Sequence, residues 1–312
     1  MLEIAPETLA WLLDSDPAIR WQVQHDLLGA DEAIWRAERD RVAQEGWGAA
    51  VLAAQDAEKG TWGGGLYTPK WTSTTYSLYV LRCLGIPPGH PQALAGCQAL
   101  LAGGLFLGRE FRFSRRQARR DLGASALALA LCRYHGAEHP ALGAMEAFLL
   151  ARQRPDGAWV PDDDPDSEAY AAETTRLVLD ALAQGPSQKP GAPGGALTAE
   201  AIARGWAYLT SRIQALGQGA TARSGWKVFS YPPYWFFDLL TALDDRRAAG
   251  LRRDNGLATA IELVRARRGR DGRWPAGRPR AGKTHVVLEP GGGPGRWTTL
   301  RALRVLKWWE EA

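Results

Sequence analysis

The chain has 312 residues, 46% hydrophobic and 23% charged, a composition that supplies a large core and excludes a disordered or low-complexity protein. No apolar run reaches the ~18 residues of a membrane-spanning helix. The net charge of +4 is local: "REFRFSRRQARRD" (109–121) holds six arginines against one glutamate and one aspartate, and the remainder is neutral overall, which speaks against a generally basic nucleic-acid binder and for one basic patch.

In chain order, "MLEIAPETLAWLLDSD" lacks the basic region and apolar run of a secretory signal, so a cytoplasmic protein is expected. "PAIRWQVQHDLLG" (17–29) predicts a helix entered through Pro17, and "DEAIWRAERDRVAQEGWGAAVLAAQ" (31–55) a second one with Asp31 as its cap. "QDAEKGTWGG" (55–64) is a glycine-rich turn, followed by the apolar helical segment "KWTSTTYSLYVLRCLG" (70–85), with Gly85 just past its end. "HPQALAGCQALLAGG" (90–104) predicts a helix with Pro91 in its first turn. The string "ALALAL" in "DLGASALALALCRYHG" (121–136) alternates like a strand. Alanine and leucine are strong helix formers, so the segment predicts a helix buried on nearly all sides.

"HPALGAMEAFLLARQ" (139–153) leads into a second turn, "QRPDGAW" (153–159), and then into "SEAYAAETTRLVLDALAQG" (167–185). The Gly/Pro-rich "GPSQKPGAPGGALT" (185–198) reads as a surface insertion, too short to divide the chain into domains. Next come "LTAEAIARGWAYLTSRI" (197–213), a worn turn "RSGWKVF" (223–229), and "PPYWFFDLLTALDD" (232–245). "NGLATAIELVRARR" (255–268) carries Leu257, Ile261 and Val264 at helical spacing, and precedes the turn "RGRDGRW" (268–274) and the segment "GRWTTLRALRVLKWW" (295–309). Cys83, Cys97 and Cys132 lie in apolar helical patterns and predict core thiols, not a disulfide or a zinc site.

Starts at Trp71, Asp121, Tyr170, Pro233 and Arg296 are 50, 49, 63 and 63 residues apart, the spacing of a repeated supersecondary unit. Each unit pairs a very apolar, small-chained helix with an amphipathic one. The expected fold is all-α: about six helical hairpins in two concentric rings, an α/α toroid, as a single domain over 1–312. The turns themselves read as architecture. A glutamine near a helix end satisfies free backbone groups, and a tryptophan packs across to the next hairpin.

Gln153, Gly157 and Trp159 match the Q-x-x-x-G-x-W repeat of squalene cyclases, and the pattern over about 17–309 resembles the terpenoid-cyclase and protein-prenyltransferase superfamily. "PKWTSTTY" (69–76), "DGRWP" (271–275), "GKTHVVLE" (282–289) and "GRWTTLRALRVL" (295–306) look most like small bacterial squalene-cyclase-like proteins. The resemblance implies an α/α toroid whose central cavity holds an isoprenoid. The D-x-D-D acid of squalene cyclases has no counterpart here, and members of the small group often carry histidine at the position of Thr75.

Four stretches carry candidate chemistry. Asp162, Asp163 and Asp166 spell D-D-x-x-D, a pattern that holds magnesium diphosphate in isoprenoid enzymes, although Pro165 interrupts it and a solvated acidic turn is the competing reading. No other cofactor is expected. In "FSYPPYWFFD" (229–238), Tyr231, Tyr234 and Trp235 form a π-rich wall, with Asp238 three residues on and sharing the helical face of Trp235. His285 and Glu289 form an acid–base pair if their loop folds inward, next to Arg296 and Trp297. The arginines of 109–120 suit an anion. Trp71, Tyr76 and Tyr170, ahead of or within apolar helices, complete the candidate substrate contacts.

Three functions fit: a cyclase-like or prenyl-transferring enzyme with an isoprenoid substrate, a non-catalytic toroid for a lipid or protein partner, and a carbohydrate-active α/α barrel. The expected partner is a small apolar ligand. Nucleic acid is not expected, peripheral membrane contact is compatible, and a protein partner stays open.

Overall fold

The computed structural model describes residues 2–114, 121–161, 165–185, 194–218 and 226–311, with the side chains of 165–167 outside the description. The described chain is mostly helical, its only strands being two short two-stranded hairpins. No described helix is long and apolar enough to cross a membrane. The chain divides into two compact units, Met1–Ala53 with Cys83–Pro87 and Ile213–Ala312, and Ala54–Arg82 with Pro88–Arg212.

The second unit shows most clearly how the sequence builds its elements. It contains the hairpin β1 (Gln55–Asp56) and β2 (Thr61–Trp62), most of α5 (Thr74–Leu84), α6 (Pro91–Gly104), the hairpin β3 (Leu105–Phe106) and β4 (Glu110–Phe111), α7 (Leu122–Tyr134), α8 (Ala141–Leu150), α9 (Ala171–Ala183) and most of α10 (Gly195–Gly217). The "ALALAL" segment is helical, and every residue of α7 from Ala124 to Cys132 is buried. Asp121 caps it, accepting from the Ala124 N–H at 2.9 Å. Gly85 and Gly136 end α5 and α7 with φ of +88° and +78°, conformations in which a side chain is strained. Gly123 at the start of α7 faces Leu177 of α9, and Arg133 near its end donates to the Ala181 carbonyl at 2.8 Å, so the two helices run parallel.

The repeated turns share one bonding scheme. The Gln153 amide donates to the Gly157 carbonyl at 3.0 Å and to the Ala201 carbonyl of α10 at 2.7 Å. Gln55 does the same with Gly60 and with Gln92 of α6. Four residues beyond each helix acceptor stands a glycine that makes room for the tryptophan: a Cβ at Gly205 would lie 2.8 Å from the Trp159 ring, and one at Gly96 2.7 Å from the Trp62 ring. The backbone N–H of each tryptophan donates to a threonine hydroxyl near the start of a following helix, Trp62 to Thr74 and Trp159 to Thr175. Phe111 takes the tryptophan's part ahead of α7, donating to Ser125 Oγ at 2.9 Å.

The first unit contains α1 (Pro6–Leu13), α2 (Pro17–Gln22), α3 (Glu32–Asp40), α4 (Gly46–Ala53), α11 (Leu239–Ala248), α12 (Ala258–Arg265) and α13 (Arg296–Glu311). The same turn recurs with Arg268 donating to the Gly272 carbonyl and Trp274 N–H to Thr299 Oγ1 at 2.9 Å. The indoles of Trp159 and Trp274 each donate to the carbonyl ten residues back, Leu149 and Val264.

Three sequence expectations need correction here. Residues 17–29 begin as α2 but pass at Val23–Leu27 into a π-turn, whose Asp26 and Leu27 carbonyls accept from Lys307 Nζ. The segment 31–55 is broken into α3, a 3-10 turn and α4, because Gly46 has φ of +64° and Asp16 reaches in to accept from the Trp47 N–H at 2.7 Å; Asp31 makes no side-chain cap. Residues 232–238 are not helical. Pro232 and Pro233 lack N–H donors, Tyr234 has φ of +49°, and α11 begins only at Leu239. Asp238 therefore caps α11 and does not share a helical face with Trp235.

Candidate functional site

Within the first unit, three helices lie side by side and run the same way. Arg296 donates to the Asp14 carbonyl, Arg304 to Gln22 Oε1 at 2.9 Å and Lys307 to the Leu27 carbonyl at 3.0 Å, so α13 ascends with α2 and its π-turn. Arg301 also meets Thr241 and Arg304 meets Asp244, so α13 ascends with α11 as well. The parallel alignment places the start of α11 beside the start of α13. Two of the sequence-derived carboxylates sit there.

Asp238 Oδ1 accepts from the Thr241 N–H at 2.8 Å and Oδ2 from the Thr241 hydroxyl at 2.7 Å. Glu289 folds inward from the loop ahead of α13. Its two oxygens accept from the Thr298 N–H and hydroxyl, both at 2.8 Å, so it caps α13 from outside the helix. Burial raises the Glu289 carboxyl above its ordinary range, against the pull of the Thr298 bonds and of Arg301. Both carboxylates thus satisfy helix N-terminal donors.

Arg301 is the hub of this region. It is 2% exposed. Its guanidinium donates to Thr241 Oγ1 at 2.7 Å, to Asp244 Oδ2 at 3.3 Å and to the Ser230 carbonyl at 3.4 Å, and lies 5.8 Å from the Tyr231 ring centre. Tyr231 stacks on Trp297 with centroids 4.2 Å apart and an interplanar angle of 12°. Its hydroxyl donates to the Cys83 carbonyl at 3.1 Å. Trp297 is fully buried, 6.1 Å from the Trp47 ring, and its indole nitrogen has no hydrogen-bond partner among the described residues.

Below the aromatic pair lies a buried ion network. Asp244 accepts from Arg304 at 2.7 Å and Arg247 at 3.1 Å as well as from Arg301. Burial opposes its charge, but Arg304, Arg247 and Arg301 outweigh that and hold the carboxyl well below the usual range. Asp26 accepts from Arg304 at 3.0 Å and pairs with His25 at 2.7 Å; despite burial, its carboxyl is likewise lowered.

The other sequence candidates fall elsewhere. Tyr234 is buried and Trp235 half-buried in the loop before Asp238, 5.8 Å apart. His285 is half-buried in the loop that carries Glu289. Arg296 lies over the Trp11 ring at 5.0 Å and bonds the end of α1. In the second unit, Trp71 (φ +68°) and Tyr76 meet edge to face at 5.0 Å, and Tyr170 is 48% exposed just before α9. Asp162, Asp163 and the Asp166 side chain lie outside the described residues, as do the arginines at 115, 116, 119 and 120. Among the described residues no three His, Cys, Asp or Glu side chains gather as a metal site.

Sequence reasoning passed over Arg301, Thr241, Asp244, Arg304 and Asp26. A signal for the arginines was present: Arg301, Arg304 and Lys307 recur every three residues within the apolar stretch 300–309, which puts three cations on one face. No family model matches the chain, and no curated protein matches it. Among solved structures it is similar to the crystal structure of a protein from Actinoplanes, with 19% identity, 95% of this chain and 90% of that chain covered, and a TM-score of 0.46.

Proposed function

We propose that the helical hairpins form an α/α toroid that holds an elongated, isoprenoid-like apolar ligand against the Tyr231–Trp297 pair, binding it without turning it over. The parallel helices and the recurring turn, which ties each tryptophan to a neighbouring hairpin, support the ring. The observation that carries the ligand reading is the stacked Tyr231–Trp297 pair at the start of α13, in which the Trp297 indole nitrogen has no partner among the described residues. Aromatic faces suit unsaturated chains, and a buried donor suits a ligand oxygen. The carboxylates at the starts of α11 and α13, Asp238 and Glu289, use both oxygens in helix capping, which favours binding over catalysis.

The test is titration with farnesol and with farnesyl diphosphate, with and without magnesium, read by tryptophan fluorescence. Equal affinity for both, independent of magnesium and weakened by Tyr231→Leu, is the expected result. Tighter, magnesium-dependent binding of the diphosphate points to prenyl-diphosphate chemistry at Asp162, Asp163 and Asp166. Binding of neither refutes the reading.

One observation favours a second reading. Glu289 is a buried carboxyl with a raised pKa next to an aromatic pair, the setting of a general acid. That reading requires turnover of a polyene into a cyclic product, lost in Glu289→Gln.

A further inference from the structure

The charge balance outside 109–121 hides a second basic stretch. Residues 265–283 hold seven arginines and one lysine against a single acid, Asp271. Several of these cations have structural tasks. Arg265 pairs with Glu262 at 2.9 Å and Glu310 at 3.3 Å, Arg268 bonds the Gly272 carbonyl, and Arg273 reaches the Glu7 carbonyl. Arg270, Arg278 and Lys283 are exposed and make no ion pair or hydrogen bond among the described residues; the same holds for Lys227 in the preceding loop.

These cations belong to one loop assembly of the first unit. Gly277 presses on the 226–238 loop so closely that a Cβ would lie 2.0 Å from the Phe229 carbonyl oxygen, and Gly291 sits against Pro279. Gly295 N–H donates to the Trp274 carbonyl at 2.8 Å and Ala276 N–H to the Gly293 carbonyl at 2.9 Å, closing the assembly at its base. Arg280 lies over the Phe236 ring at 4.0 Å and Arg267 over Phe229 at 4.4 Å. The same loops expose apolar side chains: Val228 is 40% exposed, Phe236 39% and Val287 62%. Of the acids in these loops, Asp238 and Glu289 are buried in caps, Asp238 acting on Arg267 and Arg280, and the exposed Asp271 is the sequence neighbour of Arg270.

We propose that this assembly docks on an anionic lipid surface, with Val228, Phe236 and Val287 entering the headgroup layer and Lys227, Arg270, Arg278 and Lys283 meeting the lipid phosphates and carboxylates. Unpaired cations and protruding apolar side chains on one loop cluster are the two signals that give reversible membrane binding. The aliphatic members count against nucleic acid, which takes aromatic stacking partners, and unpaired cations count against a purely apolar protein partner. The inference stands apart from the ligand reading above, because it rests on the surface of these loops and not on the Tyr231–Trp297 pair.

Co-sedimentation of the full chain with vesicles tests it. The protein is expected to bind phosphatidylcholine vesicles containing 30% phosphatidylglycerol, to release as salt rises, and to ignore pure phosphatidylcholine. Lys227→Gln, Arg278→Gln and Lys283→Gln combined should weaken binding on the order of 100-fold, from the usual worth of a cation near an anionic surface. Val287→Asp should weaken it as well, with an unchanged circular dichroism spectrum in both variants. No binding to the anionic vesicles overturns the proposal. So does binding that survives these changes and disappears instead when Arg115, Arg116, Arg119 and Arg120 are replaced by glutamine, or tighter binding to duplex DNA than to the vesicles.

Discussion

Replacing His135 with glutamine isolates one buried titration. His135 closes α7, fully buried, with Nε2 3.1 Å from the Leu78 carbonyl oxygen. Nε2 carries the proton in that bond, which leaves Nδ1 bare and without a partner among the described residues. The Tyr134 ring lies edge-on at 5.0 Å, and Arg82 and His90 act electrostatically on the imidazole. Burial, aided by Arg82 and His90 and opposed by the bond to Leu78, lowers the ring from 6.5 to about 4. The unfolded chain takes up this proton near pH 6.5, and the folded chain only near 4. The stability His135 confers is therefore complete above 6.5 and is lost as pH falls toward 4, a change of about 3 kcal/mol. Glutamine keeps a donor for the Leu78 carbonyl and does not titrate. Urea unfolding followed by circular dichroism from pH 7.5 to pH 4 should show wild type losing about 3 kcal/mol more than His135→Gln. The imidazole proton resonances of wild type should titrate with a midpoint near 4. Parallel stability curves for the two proteins would refute the reasoning and place His135 in contact with water.

Two further changes probe the architecture. Trp159→Ala removes a fully buried ring that fills the space left by Gly205 and bonds the Leu149 carbonyl, and should cost about 3–5 kcal/mol in chemical denaturation, whereas a loss within about 0.5 kcal/mol would put the ring outside the core. Asp244→Ala leaves the buried Arg301 without its carboxylate partner and Arg304 with Asp26 alone, and should cost about 3–5 kcal/mol, while a near-neutral result would mean that water reaches Arg301.

The sequence by itself determined the helical class, the order of the helices and the repeated turn. Those features are local. Alanine and leucine at helical spacing, proline at helix starts, glycine past helix ends and Q-x-x-x-G-x-W act over a few residues each, and their period survives in the chain. Even the partners of the turn left a trace, in the threonine pairs of 74–75, 174–175 and 298–299 and in Gly96 and Gly205. Local reading misplaced the start of α11 because "PPYWFFD" is apolar like a helix, while its prolines and the backbone of Tyr234 belong to a loop. Tertiary structure alone decided which charges meet. Asp26, Asp244, Arg301 and Arg304 lie as much as 278 residues apart and come together only because α2, α11 and α13 ascend in parallel. It also gave Asp238 and Glu289 their role: a carboxylate reads the same in sequence whether it faces a ligand or a helix N-terminus, and only the position of the neighbouring N–H groups tells the two apart.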